Sequence, residues 1–208
     1  PIRFQAPLGG LIHLKTRKPR DGFELHSHVG AGSYLNRSAH TAVLARDGAW
    51  DYLASVAYRG TKGNFSYYND QETFYTESDD REDVRNNNAS NMAALNFRIE
   101  HAHKNGSSQI LRGQSTYRVR GVPGSGVQPT ENTRARDWEA SVRLTSENHL
   151  FWDHTLGVNL GLDLLTSQRS FHDSGVAPNF LPELSMRSEQ EASLWQVGMD
   201  SRLTWSFS

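Results

Sequence analysis

The chain of 208 residues contains no cysteine. A disulfide scaffold, a thiolate metal site and a cysteine nucleophile are therefore excluded. No run of about 18 apolar residues occurs, so a membrane-spanning helix is excluded as well. Hydrophobic residues make up 36% of the chain, and its 22 basic and 23 acidic residues nearly cancel. This charge balance gives no reason to expect a nucleic-acid partner.

Signatures of catalysis and of dedicated metal sites are also missing. Gly124-Ser125-Gly126 lacks the strand-turn-helix setting of a nucleophile elbow, and no Walker or dinucleotide fingerprint occurs. His26 and His28, like His101 and His103, are spaced two apart, but no third ligand follows at a fixed spacing. We therefore expect no enzyme activity, no metal and no cofactor. A catalytic Ser/His pair at the rim of a barrel stays open, although no residues single one out.

What the chain does contain is alternation of apolar and polar residues in eight stretches. In the last stretch Trp195, Val197, Met199, Leu203 and Trp205 share one face. A period of two residues predicts β-strands with one apolar and one polar face. The predicted fold class is all-β, an antiparallel up-and-down meander. Its strands are expected to begin near residues 22, 36, 50, 93, 111, 137, 155 and 195.

The connections between these predicted strands differ in length at the two ends of the meander. Short connections with turn-forming residues alternate with long ones, and this asymmetry is typical of outer-membrane barrels. The short turns are predicted at 46–49, 103–106 and 146–149, and the long loops at 61–90, 120–134 and 166–191.

All five tryptophans lie on the predicted apolar face near strand ends. Trp50, Trp152 and Trp205 fall toward the short turns, and Trp138 and Trp195 toward the long loops. Aromatic girdles at both membrane interfaces have this arrangement, so the pattern favours a transmembrane β-barrel whose apolar face meets lipid. The alternative is a soluble barrel or sandwich, in which tryptophans occupy tapering sheet margins.

The polar face of the predicted sheet carries many charges of both signs. If the strands form a barrel, this face would line the lumen as a charge lattice that solvates the wall or guides an anionic ligand. The basic members are Arg59, Arg98, Arg112, Arg118, Arg143 and Arg202, and the acidic ones Glu24, Asp51, Glu100, Asp137, Glu139, Asp163 and Asp200.

Aromatic residues cluster in the longest predicted loop. Tyr67, Tyr68, Phe74 and Tyr75 could offer flat apolar contacts to a ligand, with polar neighbours to orient it. The alternative, which we favour on the sequence alone, is that they pack the loop against its neighbours.

The segment Leu8–Pro19, LGGLIHLKTRKP, resembles the end of the plug domain of TonB-dependent outer-membrane transporters. It has a Gly-Gly pair, an alternating apolar strand and a Thr-basic-basic-Pro close. The following strand up to Gly30–Tyr34 and the stretch WDYLASVAYRG at 50–60 are similar to the first barrel strands of that family. The resemblance implies that residues 1–20 are the plug end and linker, and that residues 21–208 belong to the barrel.

That family has a 22-stranded barrel and a plug of well over a hundred residues. The resemblance therefore implies that this chain is a section: the last plug strand and about the first third of the barrel. It further implies residence in the bacterial outer membrane and contact with its lipid. The implied function is active uptake of a scarce small-molecule ligand, such as a ferric siderophore or cobalamin. Energy would come from the TonB complex through the plug, and any secretion signal would be removed or lie outside this stretch.

Two other functions remain open at this point. The chain could be a complete small eight-stranded outer-membrane barrel with an adhesion or structural role. It could also be a soluble β-barrel that binds a ligand. The first requires the eight strands to close on themselves, and the second requires the apolar face to be covered.

Overall fold

The computed structural model describes residues 18–71, 73, 75–124, 130–151, 156–173 and 188–205, and within these ranges the chain contains strands but no α-helix. No helix in the described part is long and apolar enough to cross a membrane. The strands are β1 Gly22–Gly32, β2 Asn36–Asp47, β3 Trp50–Thr61, β4 Ser66–Asn69, β5 Arg81–Val84, β6 Ser90–Ala102, β7 Ser108–Gly121, β8 Arg134–Phe151, β9 Leu156–Asp173 and β10 Ser188–Trp205.

Eight of these strands form one antiparallel sheet. Its order is β1-β2-β3-β6-β7-β8-β9-β10, so each strand pairs with the next one along the chain once the separate β4–β5 hairpin is set aside. The predicted all-β, antiparallel, up-and-down arrangement of eight strands is confirmed. Strands β1 and β10 each pair on one side only among the described strands, so the sheet has two edges and does not close into a barrel.

Two of the short connections lie where they were predicted. Between β2 and β3, Asp47 pairs with Trp50, and Gly48 has φ +57° at the first central position of the turn, where type II′ hairpins place glycine. Between β6 and β7, the Asn105 Oδ1 atom accepts hydrogen bonds from the Ser107 backbone N–H at 3.1 Å and from its hydroxyl at 2.7 Å. Ser107 is 2% exposed.

Two predicted connections are displaced. The turn predicted at 146–149 is wrong, because β8 continues to Phe151 with a register irregularity between Ser146 and His149. The loop predicted at 166–191 is shorter, because β9 reaches Asp173 and β10 begins at Ser188. Backbone hydrogen bonds extend a strand beside an existing neighbour even where its side chains no longer alternate. The remaining linkers, 152–155 and 174–187, and the predicted plug strand Leu11–Thr16 lie outside the described residues.

The small number of buried apolar residues shows that the sheet has no conventional core. Leu44, Ile110 and Ala135 are the buried hydrophobic residues among those described. The strand register places all three on the face that also carries the charged residues. The apolar face of the sheet is the exposed one. In a soluble protein the apolar face of an antiparallel sheet is expected to be buried.

Candidate functional site

The apolar face is continuous across all eight strands. Residues directly opposite each other in neighbouring strands point to the same side, so the register defines rows that cross the sheet. One such row marks the long-loop limit of the apolar surface and contains Ala31, Arg37, Gly60, Asn91, Val119, Arg136, Ser170 and Glu191. From this row toward the short turns, the described strand residues on this face include no Asp, Glu, Lys or Arg until Asp47 at the β2–β3 turn.

This charge-free surface is uncovered. Val197 is 72% exposed and Met199 77% exposed on β10, and Leu162 and Leu95 on interior strands are also exposed. No second sheet or helix of the described residues packs over them. Apolar surface of this extent is far larger than the patches that water-soluble monomers display.

The structure places the four described tryptophans on this apolar face. Trp50 begins β3, and its ring lies 6.1 Å from the Tyr52 ring and 4.3 Å from the His101 ring. Trp205 ends β10, where it pairs with Leu156. Both lie at the short-turn end of the sheet. Trp152, the fifth predicted girdle residue, lies outside the described residues.

Trp138 and Trp195 lie toward the opposite end. Trp138 pairs with Tyr117, and its indole Nε1–H donates a hydrogen bond to the Ser115 hydroxyl at 3.1 Å. Trp195 pairs with Thr166. This pair lies one row closer to the short turns than the row that contains Trp138. Strands β8, β9 and β10 extend past these tryptophans, so the aromatic residues lie inside the strands rather than at their long-loop ends.

The polar face is shielded and held by ion pairs. Arg46 makes two parallel hydrogen bonds to Asp51, from Nε at 2.6 Å and from Nη2 at 2.9 Å. Arg98 donates to Glu100, which also accepts from Lys18 Nζ at 3.2 Å. Asp51 and Glu100 are only 9% and 5% exposed. Buried carboxylates require such partners, because an unpaired one would be strongly destabilising.

A second cluster joins the last three strands. Arg143 on β8 donates from Nη1 to both Asp163 carboxylate oxygens, at 3.0 and 2.9 Å, and from Nη2 to Asp200 at 2.5 Å. Its Nε–H donates to the Thr145 hydroxyl at 3.3 Å. One guanidinium therefore connects β8 to β9 and β10. The four other predicted lattice cations form no ion pair with a described residue; they are Arg59, Arg112, Arg118 and Arg202.

The leader comprises residues 1–20, and its end lies against this polar face. Pro19 is buried, and the Lys18 ammonium reaches Glu100 on β6, the fourth strand of the sheet. The Arg20 backbone N–H lies 3.4 Å from the Glu24 carboxylate on β1. The chain therefore enters the first strand from the polar side of the sheet.

The predicted loop aromatics that the structure describes do not form one surface. Tyr67 packs beside Phe65, with ring centroids 6.4 Å apart, and under the Arg85 guanidinium at 5.6 Å. Phe65 in turn contacts Tyr34 of the β1–β2 connection at 6.1 Å. Consecutive residues of a strand point to opposite sides, so Tyr68 faces away from this group.

Tyr68 and Tyr75 are accessible at the β4–β5 hairpin. Tyr68 is 67% exposed, and its hydroxyl donates a hydrogen bond to Asp80, which raises the pKa of Tyr68 above its ordinary value. Tyr75 is 100% exposed. Phe74, the remaining predicted contact residue, lies outside the described residues. A ligand approaching this hairpin would meet Tyr68 and Tyr75 rather than Tyr67.

Asp83 stabilises the β4–β5 hairpin, a structure that the sequence pattern did not predict. It accepts hydrogen bonds from the Asn69 side-chain amide at 2.8 Å and from Arg81 Nε at 2.9 Å. These two donors favour the ionised carboxylate and hold the pKa of Asp83 below its ordinary value. Asp83 therefore stabilises the hairpin through specific partners.

Asn87 organises the long-loop end and was also missed. Its side-chain amide donates to the backbone carbonyls of Val122 and Thr133 at 3.2 and 2.9 Å and lies 3.3 Å from the Thr130 hydroxyl. Asn87 itself has φ +53°, a conformation that asparagine tolerates better than most residues. The run of asparagines at 86–88 was the one available sequence signal. Its amide ties the β7–β8 connection to the segment before β6.

The histidine pairs do not assemble a metal site among the described residues. His101 and His103 are in ring contact at 4.4 Å, and His26 lies 3.2 Å from the Glu24 carboxylate. No group of three His, Cys, Asp or Glu side chains with metal-binding geometry occurs in the part of the chain that the structure describes.

Comparison with known proteins leaves the family of this chain open. No protein-family model matches it, and no curated protein matches it.

Proposed function

We propose that this chain forms part of the wall of an outer-membrane β-barrel and that the barrel is a TonB-dependent uptake receptor. The observation that carries the membrane assignment is the reversed distribution of polarity. A charge-free apolar face is exposed on all eight strands, and the opposite face contains the shielded ion pairs. In lipid the first face is solvated by acyl chains, and the second lines an aqueous lumen.

The dimensions of the apolar band support this assignment. Trp195 and Trp205 are ten residues apart on β10. At a rise of about 3.3 Å per residue they are separated by about 33 Å along the strand. A strand tilt of about 40° reduces this to a height of about 25 Å, which is the height of the apolar band in outer-membrane barrels.

A soluble barrel or sandwich is less well supported, because it would need a second layer over the apolar face. A complete eight-stranded barrel would need β1 to pair with β10, and these are the two edges of the sheet. Such a small barrel is also filled by its own side chains. The leader end lies on the polar face and would compete for that space. An arc of a larger barrel accommodates both the open edges and the leader.

The transport proposal depends on the plug-like leader. A plug occupies the lumen, so its last residues should approach the first strand from the polar side. The buried Pro19 and the Lys18–Glu100 ion pair fit this requirement. In the proposed mechanism a ligand binds between the outer loops and the plug. Energy relayed by TonB then displaces the plug, and the ligand passes along the charged lumen wall.

Cell fractionation of the native protein tests the membrane assignment. We expect the protein in the outer-membrane fraction, resistant to alkaline carbonate extraction and released by detergent. Recovery in the aqueous fraction without detergent would contradict the assignment and favour a soluble ligand-binding protein.

The transport assignment is tested separately by the mass and partners of the native polypeptide. We expect a mass well above 23.4 kDa and retention on the immobilised periplasmic domain of TonB. A membrane-embedded protein with an intact mass near 23.4 kDa would instead be a complete small barrel.

A further inference from the structure

Three arginines lie directly opposite one another across three neighbouring strands. Arg98 of β6 pairs with Arg112 of β7, and Arg112 pairs with Arg143 of β8. Residues paired in this way have Cβ atoms about 5 Å apart, and like charges at such positions destabilise a sheet. This row of three arginines, on the polar face, therefore requires anionic partners.

The two outer arginines have such partners within the chain. Arg98 donates to Glu100, and Arg143 donates to Asp163 and Asp200. Both arginine side chains are 13% exposed. Their charges are offset by carboxylates on the same strand, on the next strand and on the strand beyond it.

Arg112, the central arginine, has no such partner. No ion pair or hydrogen bond joins it to another described residue, although the carboxylates of Glu147 and Glu100 attract it from beyond 4.0 Å. Arg112 is half-buried. Beside it, the Arg98 Nε–H is buried without an acceptor. The row therefore offers the open guanidinium of Arg112 and an unused donor of Arg98.

The leader does not contain an anion that could fill this position. Residues 1–20 include five basic side chains and no Asp or Glu. If these residues are the plug end that faces the lumen, they add positive charge to the polar face. They therefore supply no carboxylate partner for Arg112.

We propose that the Arg98–Arg112–Arg143 row is an oxyanion-binding site that takes a carboxylate or phosphate group of a small anionic solute. Arg112 supplies a planar fork of N–H donors, which matches two oxygens of such a group. Arg98 and Arg143 flank it on the two neighbouring strands. This inference rests on the proposed function, because a solute reaches the polar face only from the lumen. It adds that the transported ligand carries a negative charge.

Calorimetric titration of the purified native protein in detergent with citrate, and separately with inorganic phosphate, tests this site. We expect Arg112→Gln to weaken binding about tenfold, because it removes a pair of charge-assisted hydrogen bonds. The matched control is Arg202→Gln, which removes the same charge from the same face at an arginine without a described ion pair. We expect this control to change binding less than about twofold.

Equal weakening by both substitutions would overturn the proposal, since it would indicate general attraction by the polar face. Absence of binding of both probes to the unaltered protein would also overturn it. If Arg112→Gln does not fold, Arg112→Lys keeps the charge but loses the planar fork, and it should still weaken binding. If the protein fractionates with the outer membrane but binds neither probe, only the oxyanion site is contradicted. If the protein is soluble and binds both probes through Arg112, only the membrane assignment is contradicted.

Discussion

At the residue scale, Asp83 links the charge of a single carboxylate to the stability of the β4–β5 hairpin. The Asn69 amide and the Arg81 guanidinium hold its pKa below the ordinary value. The ionised form therefore stabilises β4–β5 at every pH above the unfolded-state pKa. This contribution is lost as the pH falls through the lowered pKa.

We predict that lowering the pH from about 6 to about 2 opens the β4–β5 hairpin. The measurement is the hydrogen-exchange protection of the backbone amides of Ser66–Asn69, corrected for the intrinsic exchange rate. Asp83→Asn should lower the protection at neutral pH and remove the part of the pH step that belongs to this carboxylate. Glu82→Gln is the control, because Glu82 makes no ion pair with a described residue. A pH step of the same size in the Asp83 variant would show that another group controls the hairpin.

The sequence predicted correctly which face of the sheet the charged residues of the Arg143 cluster occupy. It did not predict which of these residues form ion pairs. Alternation placed Arg143, Asp163 and Asp200 on one face, and the register confirms this placement. It gave no indication that Arg143 bridges both aspartates or that Arg112 lacks a carboxylate. Which charge meets which depends on the register between strands, and register is set by turns and pairing rather than by the composition of one strand.

At the scale of strands, β6 and β7 approach each other closely at one position. Gly113 lies directly opposite Phe97 on the apolar face. A Cβ atom added to Gly113 would lie 2.2 Å from Phe97 Cε1 and 2.4 Å from Cζ. The aromatic ring therefore covers the space left by the glycine, an arrangement that shields the backbone of a strand glycine.

We predict that Gly113→Ala destabilises the protein by about 1–3 kcal/mol, because the ring must leave its position. Denaturant unfolding in detergent measures the change. Combining it with Phe97→Leu should recover part of the loss, since the smaller side chain frees the space. Gly198→Ala on β10 is the matched control, because its added Cβ would make only an ordinary contact at 3.6 Å. Equal losses in the two alanine variants would mean that backbone conformation, rather than the Phe97 contact, is responsible.

The alternation of apolar and polar residues predicted the strands of the main sheet better than it predicted where they begin and end. The eight strands of the main sheet were predicted from alternation, but β8 to β10 continue beyond the alternating residues. Strand extension there depends on backbone pairing with a neighbour, which no single segment encodes. The β4–β5 hairpin of four residue pairs was missed for a similar reason. Side chains such as Asn69 and Asp83 stabilise it across fourteen positions of the sequence.

At the scale of the whole molecule, the proposed contact with lipid depends on the exposed apolar face. Leu162 lies on this face of β9, and Leu165 lies three residues later on the polar face. If the sheet spans a membrane, an arginine at position 162 must enter the hydrocarbon layer. An arginine at position 165 would face the lumen beside other charges.

We predict that Leu162→Arg reduces folding stability in lipid bilayers by about 2–4 kcal/mol. Leu165→Arg makes the same chemical change on the same strand and should cost about 1 kcal/mol or less. Urea titration of the native protein in vesicles measures both values. Equal effects of the two substitutions, or a stable Leu162→Arg protein, would contradict the proposed contact with lipid.

The amino-acid sequence alone determined the fold class, the number of strands in the main sheet and the two faces of each strand. These properties follow from a local period of two residues, so each segment encodes them independently. The tertiary structure decided the strand register, the open edges and the exposure of the apolar face. It also showed that Arg112 lies between two paired arginines and has no carboxylate partner among the described residues. These features depend on contacts between distant segments, and pairing across the sheet establishes them.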